Sequence, residues 1–136
     1  MTPSQELADH IARTATVTIV TTAADGREIA TPIWAVVADG VPYVRSAYGE
    51  KAAWNRRARA GRPVAFTLED GCNAERDATA ALGDPRIAVG VSHIAPDAPE
   101  QDAVDAAFRA KYGHTPHIGS VVSDAARALT LRVEQV

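Results

Sequence analysis

The pattern of apolar and polar positions divides the chain into short segments whose period changes repeatedly. Leu7, Ala8, Ile11 and Ala12 recur at helical spacing behind Ser4, whose hydroxyl is placed to accept from a first-turn amide. Thr16 to Thr22 is instead a run of Thr, Val and Ile, whose branched Cβ atoms favour a pleated strand. Asp25-Gly26 offers the positive φ angles of a tight hairpin turn, and Glu28 to Ala38 is predicted as a second strand. Asp39-Gly40 repeats the device before a third strand, Val41 to Ser46. These three strands are expected to form one antiparallel meander.

Lys51 to Ala60 has strong helix propensity and stops at Gly61, where a left-handed residue commonly ends a helix. Val64 to Leu68 reads as a strand, closed by Glu69, Asp70 and Gly71. Cys72 to Asp84 fits either a helix or an edge strand. Ile87 to Ile94 reads as a strand, and Pro96 and Pro99 mark a loop. Asp97 and Glu100 have capping-box spacing before a helix from Asp102 to Tyr112, which carries Val104, Ala107 and Phe108 on one face and ends at Gly113. Ser123-Asp124 can cap a single turn, and Leu129, Leu131 and Val133 alternate as a final strand. About six strands with helices inserted among them do not alternate as a parallel fold requires, so a single domain over residues 1–136 is expected, mostly antiparallel β with helical insertions and closed as a barrel.

Composition narrows the function classes. A chain of 136 residues, 46% hydrophobic and 23% charged, is long enough to bury a core without staples. The lone Cys72 closes no intramolecular disulfide, the first residues lack a secretory pattern, and no apolar run is long enough for a bilayer, so a cytoplasmic protein is expected. A net charge of −3 gives no overall pull toward nucleic acid or anionic membrane. Its distribution is uneven: Arg45, Lys51, Arg56, Arg57, Arg59 and Arg62 face one acid, Glu50, in a chain that is otherwise acidic. Such a block is either an anion site or a solvated helix face.

Dinucleotide, phosphate-loop and nucleophile-elbow motifs are missing. His114 and His117 share a loop without a carboxylate or thiol at ligand spacing, so no metal site is expected; His93 falls on a strand and His10 is expected at the surface. Cys72 has acidic neighbours that disfavour its thiolate, and the carboxylates from Glu69 to Asp77 read as solvated. Tyr48 is placed either to donate a proton or to pack in a loop.

Thr31-Pro32-Ile33-Trp34, then Tyr43-Val44-Arg45-Ser46, Gly49 and Trp54-Asn55-Arg56, resemble the split β-barrel superfamily of FMN- and deazaflavin-binding oxidoreductases, which includes pyridoxamine-phosphate-oxidase-like and deazaflavin-dependent nitroreductase-like proteins. More narrowly, with the stretches 104–113 and 128–133, the chain is similar to an uncharacterised bacterial family, domain of unknown function 2255. The resemblance implies a split barrel that holds its cofactor at a homodimer interface. It implies that Arg45, Ser46, Lys51 and Arg56 hold the cofactor phosphate, and that Thr31, Ile33 and Trp34 lie along the ring. A helix N-terminus beside Lys51 suits an anion on physical grounds as well. Pro32 fits a sheet edge or bulge. Trp34 and Trp54 can each cover the cofactor or simply pack in the core or interface. The reading that follows is an oxidoreductase passing hydride to a small molecule, with no catalytic side chain identified. The alternatives are a cofactor- or anion-binding sensor without turnover, and a ligand-free interaction barrel.

Overall fold

The computed structural model describes residues 2–47 and 51–136. The elements are α1 (Pro3–Arg13), β1 (Val17–Thr22), β2 (Glu28–Ile33), β3 (Ala35–Ala38), β4 (Val41–Val44), α2 (Ala53–Arg59), β5 (Val64–Thr67), α3 (Cys72–Arg76), α4 (Ala78–Ala81), β6 (Arg86–His93), α5 (Gln101–Tyr112), α6 (Ile118–Val121), α7 (Asp124–Arg127) and β7 (Leu131–Gln135). The seven strands form one antiparallel sheet in the order β2-β1-β5-β6-β7-β4-β3.

The expected meander does not form. Its second strand is cut at Trp34 into β2, which pairs with β1 from Thr22↔Glu28 to Val17↔Ile33, and β3, which pairs with β4 from Ala38↔Val41 to Ala35↔Val44. The cut gives seven strands where six were expected, and it puts the two halves at opposite ends of the strand order. A flat sheet of that width would separate its edges by about 29 Å, whereas the two chain steps from Ile33 to Ala35 span at most about 7 Å. The sheet must therefore curl until the end of β2 lies beside the start of β3, and Trp34 is the seam. Both hairpins form at the Asp-Gly pairs, but with different turns: Asp39 and Gly40 both have positive φ, 51° and 79°, whereas at the first only Gly26, with φ of 90°, does and Asp25 does not.

The interior of the curl is filled by residues from all seven strands, with Leu7 and Ile11 of α1 and Trp54 and Ala58 of α2. Two smaller clusters lie on the outside. Val36, Ala38 and Tyr43 pack beneath Val104, Phe108 and Tyr112 of α5 and Val121 of α6. Val20, Ala30 and Ala65 pack beneath Ala74 and Ala81. Cys72 to Asp84, open between two readings, is thus helical: α3 and α4 cover β1, β2 and β5, with the Asp77 carboxylate accepting from the Ala80 amide. Among the described residues neither outer cluster includes a residue of β6 or β7.

Several caps differ from expectation. Thr2, not Ser4, caps α1: its hydroxyl accepts from the Gln5 amide and the Gln5 side chain accepts from the Thr2 amide. Glu100 makes no capping box at α5, because its carboxylate accepts from Tyr43 at 2.6 Å and from Arg132. Gly61, with φ of 83°, does follow α2.

His10 is buried, 3% exposed, rather than on the surface. It lies between Leu7 and Ile11 on the inward face of α1. Its Nδ1 is 3.4 Å from the Thr14 hydroxyl, while Nε2 has no partner. Burial first, and then Arg13, push its pKa below the ordinary value; Glu69 and Asp70 oppose them. The folded chain thus binds this proton less readily than the unfolded one, so stability falls as pH drops below about 6.5. Urea midpoints at pH 7.5 and pH 5 should show this decline, and His10→Leu should flatten it. An equal decline in the variant would place the effect elsewhere.

Candidate functional site: a cleft at the barrel seam

The chain around Trp34 is held from several sides. The Trp34 indole stacks on the Tyr112 ring, with centroids 4.2 Å apart and planes 4° from parallel. The Tyr112 hydroxyl donates to the Ala15 carbonyl at 2.6 Å and accepts from the Ala35 amide at 3.2 Å, and burial pushes its pKa up to about 12. Lys111 donates from Nζ to the Ile11 and Ala35 carbonyls at 2.6 and 2.7 Å. Burial lowers its pKa to about 8, while its position at the carbonyl end of α1 supports the charge. Pro32 pairs opposite Thr18 in β2, an edge strand, where a missing N–H is tolerated.

Beside this seam opens a cleft of about 370 Å³. Thr31, Pro32, Ile33 and Trp34 line one side, Ala52 and Trp54 another, and Arg45, Ala47, His117 and Val121 complete it. It therefore gathers Thr31, Ile33, Trp34, Trp54 and Arg45 of the residues singled out in the sequence. Trp54 is 6% exposed and belongs to the interior cluster, so it is both core and cleft wall. Trp34 is half-buried and shares the outer cluster with Tyr112. Ser46 is buried, Lys51 is exposed just before Ala52, and Arg56 is exposed with its guanidinium donating to the Lys51 carbonyl. Tyr48 and Gly49 lie outside the described residues.

Arg45, which the resemblance places at the cofactor phosphate, is instead held in a buried ion pair. It is 1% exposed, and all five of its N–H groups are engaged inside the protein. Nε donates to the Thr130 hydroxyl at 3.0 Å; Nη1 donates to Asp105 at 2.5 Å and to the Val121 carbonyl at 3.0 Å. Nη2 donates to the side chain and the carbonyl of Gln101 at 2.7 and 3.4 Å. Burial lowers its pKa and Asp105 opposes the shift. The guanidinium carbon also sits 5.4 Å from the centre of the Phe108 ring. The other oxygen of Asp105 accepts from Arg127 at 2.8 Å.

The basic block is accordingly dispersed rather than a single patch. Arg57 donates to the Thr21 hydroxyl and Arg59 to Asn55, whose amide nitrogen donates in turn to the Leu129 carbonyl. Gln101 and Asp105 escaped the sequence reading as site residues, and Phe108 and Tyr112 entered it only as parts of a helix. An acid at position 105, between Val104 and Phe108 on the apolar face of a helix, was the available signal, since a buried carboxylate demands a cation.

His117 precedes α6, is exposed and lines the cleft, and no hydrogen bond joins its ring to another of the described residues. His93 contacts the Ala128 carbonyl. Among the described residues no group of three or more His, Cys, Asp or Glu could hold a metal ion. Cys72 is exposed and Asp70 raises its thiol pKa, which agrees with an unreactive thiol. Among the described residues no helix is long and apolar enough to cross a membrane.

A larger opening of about 500 Å³ lies where β4 and β7 part. Their ladder consists of Tyr43↔Arg132 and Val44↔Leu131, next to Pro42, which lacks an N–H. Of its polar rim, Arg86 is tied to Glu28 and Leu82, Ser4 to Gln135, and Glu134 to Ser92 and Arg132. It presents chiefly an apolar wall. The smaller cleft combines indole rings with the backbone of an edge strand, and that combination favours it as the functional site.

Residues 7–133 match the family model described as "Uncharacterized protein conserved in bacteria (DUF2255)". No curated protein matches the sequence. Among solved structures the chain is similar to the conserved hypothetical protein Rv2991 of Mycobacterium tuberculosis, with 21% identity and a TM-score of 0.61 over 96% of this chain and 78% of that one. It is similar to HutZ, the heme storage protein of Vibrio cholerae, with 18% identity and a TM-score of 0.66 over 100% and 92%. ChuZ of Campylobacter jejuni gives 15% identity and a TM-score of 0.62 over 95% of this chain and 50% of that one. At these identities the likeness is one of fold.

Proposed function

The chain belongs to the bacterial family DUF2255, and from that premise we propose that it binds a flat aromatic cofactor, FMN or a deazaflavin coenzyme, in the seam cleft and passes hydride to a small molecule. The observation that carries this reading is the meeting of Trp34, Trp54 and the edge-strand backbone of Thr31 and Ile33 in one cleft of about 370 Å³. The backbone of Thr31, Ile33 and Trp34 would face the polar edge of the ring, and Trp54 would close the other side. Lys51, just before α2, and Arg56 on it would meet the anionic tail. Arg45 takes no part in holding the tail, because its donors are engaged. The bound cofactor supplies the redox chemistry; the chain binds it, orients it and excludes water.

A second reading, binding without turnover, draws on His117. An exposed imidazole at the rim of an aromatic cleft is suited to ligate a haem iron, and HutZ is named as a heme storage protein. The homodimer that the resemblance implies, with the cofactor at its interface, is part of the first reading.

Titration of the purified protein with FMN, the deazaflavin coenzyme and hemin, read by fluorescence and absorbance, tests both readings, and sedimentation velocity on the same samples reads pairing. Saturable binding of one flavin-type ligand is expected, weakened about tenfold or more by Trp34→Ala and about fivefold by Lys51→Ala for FMN. Hemin binding that His117→Ala removes, without flavin binding, would transfer the assignment to the second reading. No binding of any of the three would leave the ligand-free interaction barrel.

A further inference from the structure

We infer that Arg45 is the positioning residue for the α6 wall of the cleft, and that the cleft discriminates its ligand by the flat ring rather than by a phosphate held at the end of β4. The ligand part of this inference rests on the reading that the cleft binds a flat aromatic molecule.

α6 is a single turn, Ile118–Val121, with no side-chain cap at its start. One turn has too few internal hydrogen bonds to hold itself in place, so its position is set by what it touches. It contributes Val121 to the cleft, and His117 immediately before it. Val121 is 1% exposed in the outer cluster, and its carbonyl accepts from Arg45 Nη1 at 3.0 Å. The same nitrogen reaches Asp105 of α5, while Nη2 reaches Gln101 at the start of α5 and Nε reaches Thr130 just before β7. The guanidinium fork thus joins the end of β4 to α5, α6 and the entry to β7 at once, which a lysine's single ammonium could not do with the same geometry.

Arg45 is itself fixed. Asp105 is held by Arg127 of α7, and Phe108 lies against the guanidinium. A phosphate could recruit this group only by displacing Asp105 from a side chain that is 0% exposed. Arg45 therefore shapes the cleft through α6 and makes no direct contact with a ligand's anionic end.

The test replaces the ion pair by apolar side chains, Arg45→Met with Asp105→Leu, in the full chain, with circular dichroism confirming the fold. Hydrogen exchange should accelerate about fivefold or more at residues 117–122 and remain unchanged in β1 and β5. FMN and riboflavin, which is FMN without its phosphate, should both weaken by a similar factor, about tenfold. Unchanged exchange at 117–122 would overturn the positioning role. Loss of FMN binding with riboflavin binding intact would overturn it too, since Arg45 would then be meeting the phosphate. If the wild-type protein binds neither flavin, the cofactor reading fails, and the exchange measurement still decides the role of Arg45. If the double variant does not fold, Arg45→Lys, which keeps the charge and loses the fork, carries the same measurements.

Discussion

Arg45→Met alone lowers the free energy of unfolding by about 3–5 kcal/mol, a fall in Tm of roughly 10–20 °C for a domain of this size. The loss does not measure how strongly the ion pair attracts. It arises because the Asp105 carboxylate, with its side chain 11% exposed, stays in the protein without its closest cation, and the side chain of Gln101 and the Val121 carbonyl lose donors together. Removing the acid as well takes away a buried charge that only Arg127 would still pair, so Arg45→Met with Asp105→Leu recovers most of the stability. Urea denaturation of the wild type, both single variants and the double variant reads this directly. A single-variant loss below about 1 kcal/mol would mean that water reaches Asp105 and that the network is not the buried unit described.

Phe66→Ala costs a comparable amount, about 3–5 kcal/mol, for a different reason. Phe66 is 0% exposed and lies in β5 between Ile19 of β1 and Ile87 of β6, inside the cluster to which every strand contributes. Its neighbours sit on strands whose registers are fixed by ladders on both sides, so they cannot move inward to fill the space. The cavity persists and its lining loses contacts outright. The urea midpoint should fall with little change in slope, because the folded barrel and the unfolded chain expose nearly the same surface as before. A changed slope would show that the interior had lost its unique packing.

Much of this architecture is legible in the order of residues. Val, Ile and Thr runs mark the strands, the two Asp-Gly pairs mark the hairpins, and the alanine- and arginine-rich stretch before Gly61 marks α2. The seam is not legible locally. Strand patterning continues from Glu28 through Ala38, and only the choice of pairing partner, β1 for one half and β4 for the other, splits it at Trp34. The same limit applies to Arg45. Read along the chain it opens a basic block, whereas its counter-ion lies 60 residues away on α5. Glu100 had the spacing of a capping box but is drawn off by Tyr43 and Arg132, two partners on neighbouring strands. Each of these residues has a side chain whose local role competes with a distant partner, and burial favours the distant one. The aromatic residues of the cleft were legible as a group; that Tyr112 orients Trp34 was not, because stacking depends on where α5 crosses β3.

The junction at Trp34 also bears on how the molecule behaves in a crowded solution. An open antiparallel sheet ends in two rows of unpaired amides and carbonyls, each able to recruit a strand from another molecule and begin edge-to-edge aggregation. Here those two rows belong to consecutive strands one residue apart, with Pro32 interrupting the donors of one and only four residues in the other. The curl therefore leaves two short edges that meet at one corner, six residues in β2 and four in β3, rather than one long edge of the kind a polymerising chain would need. The same backbone borders the cleft, so a molecule seated there would cover part of those edges, and occupancy and resistance to aggregation would rise together.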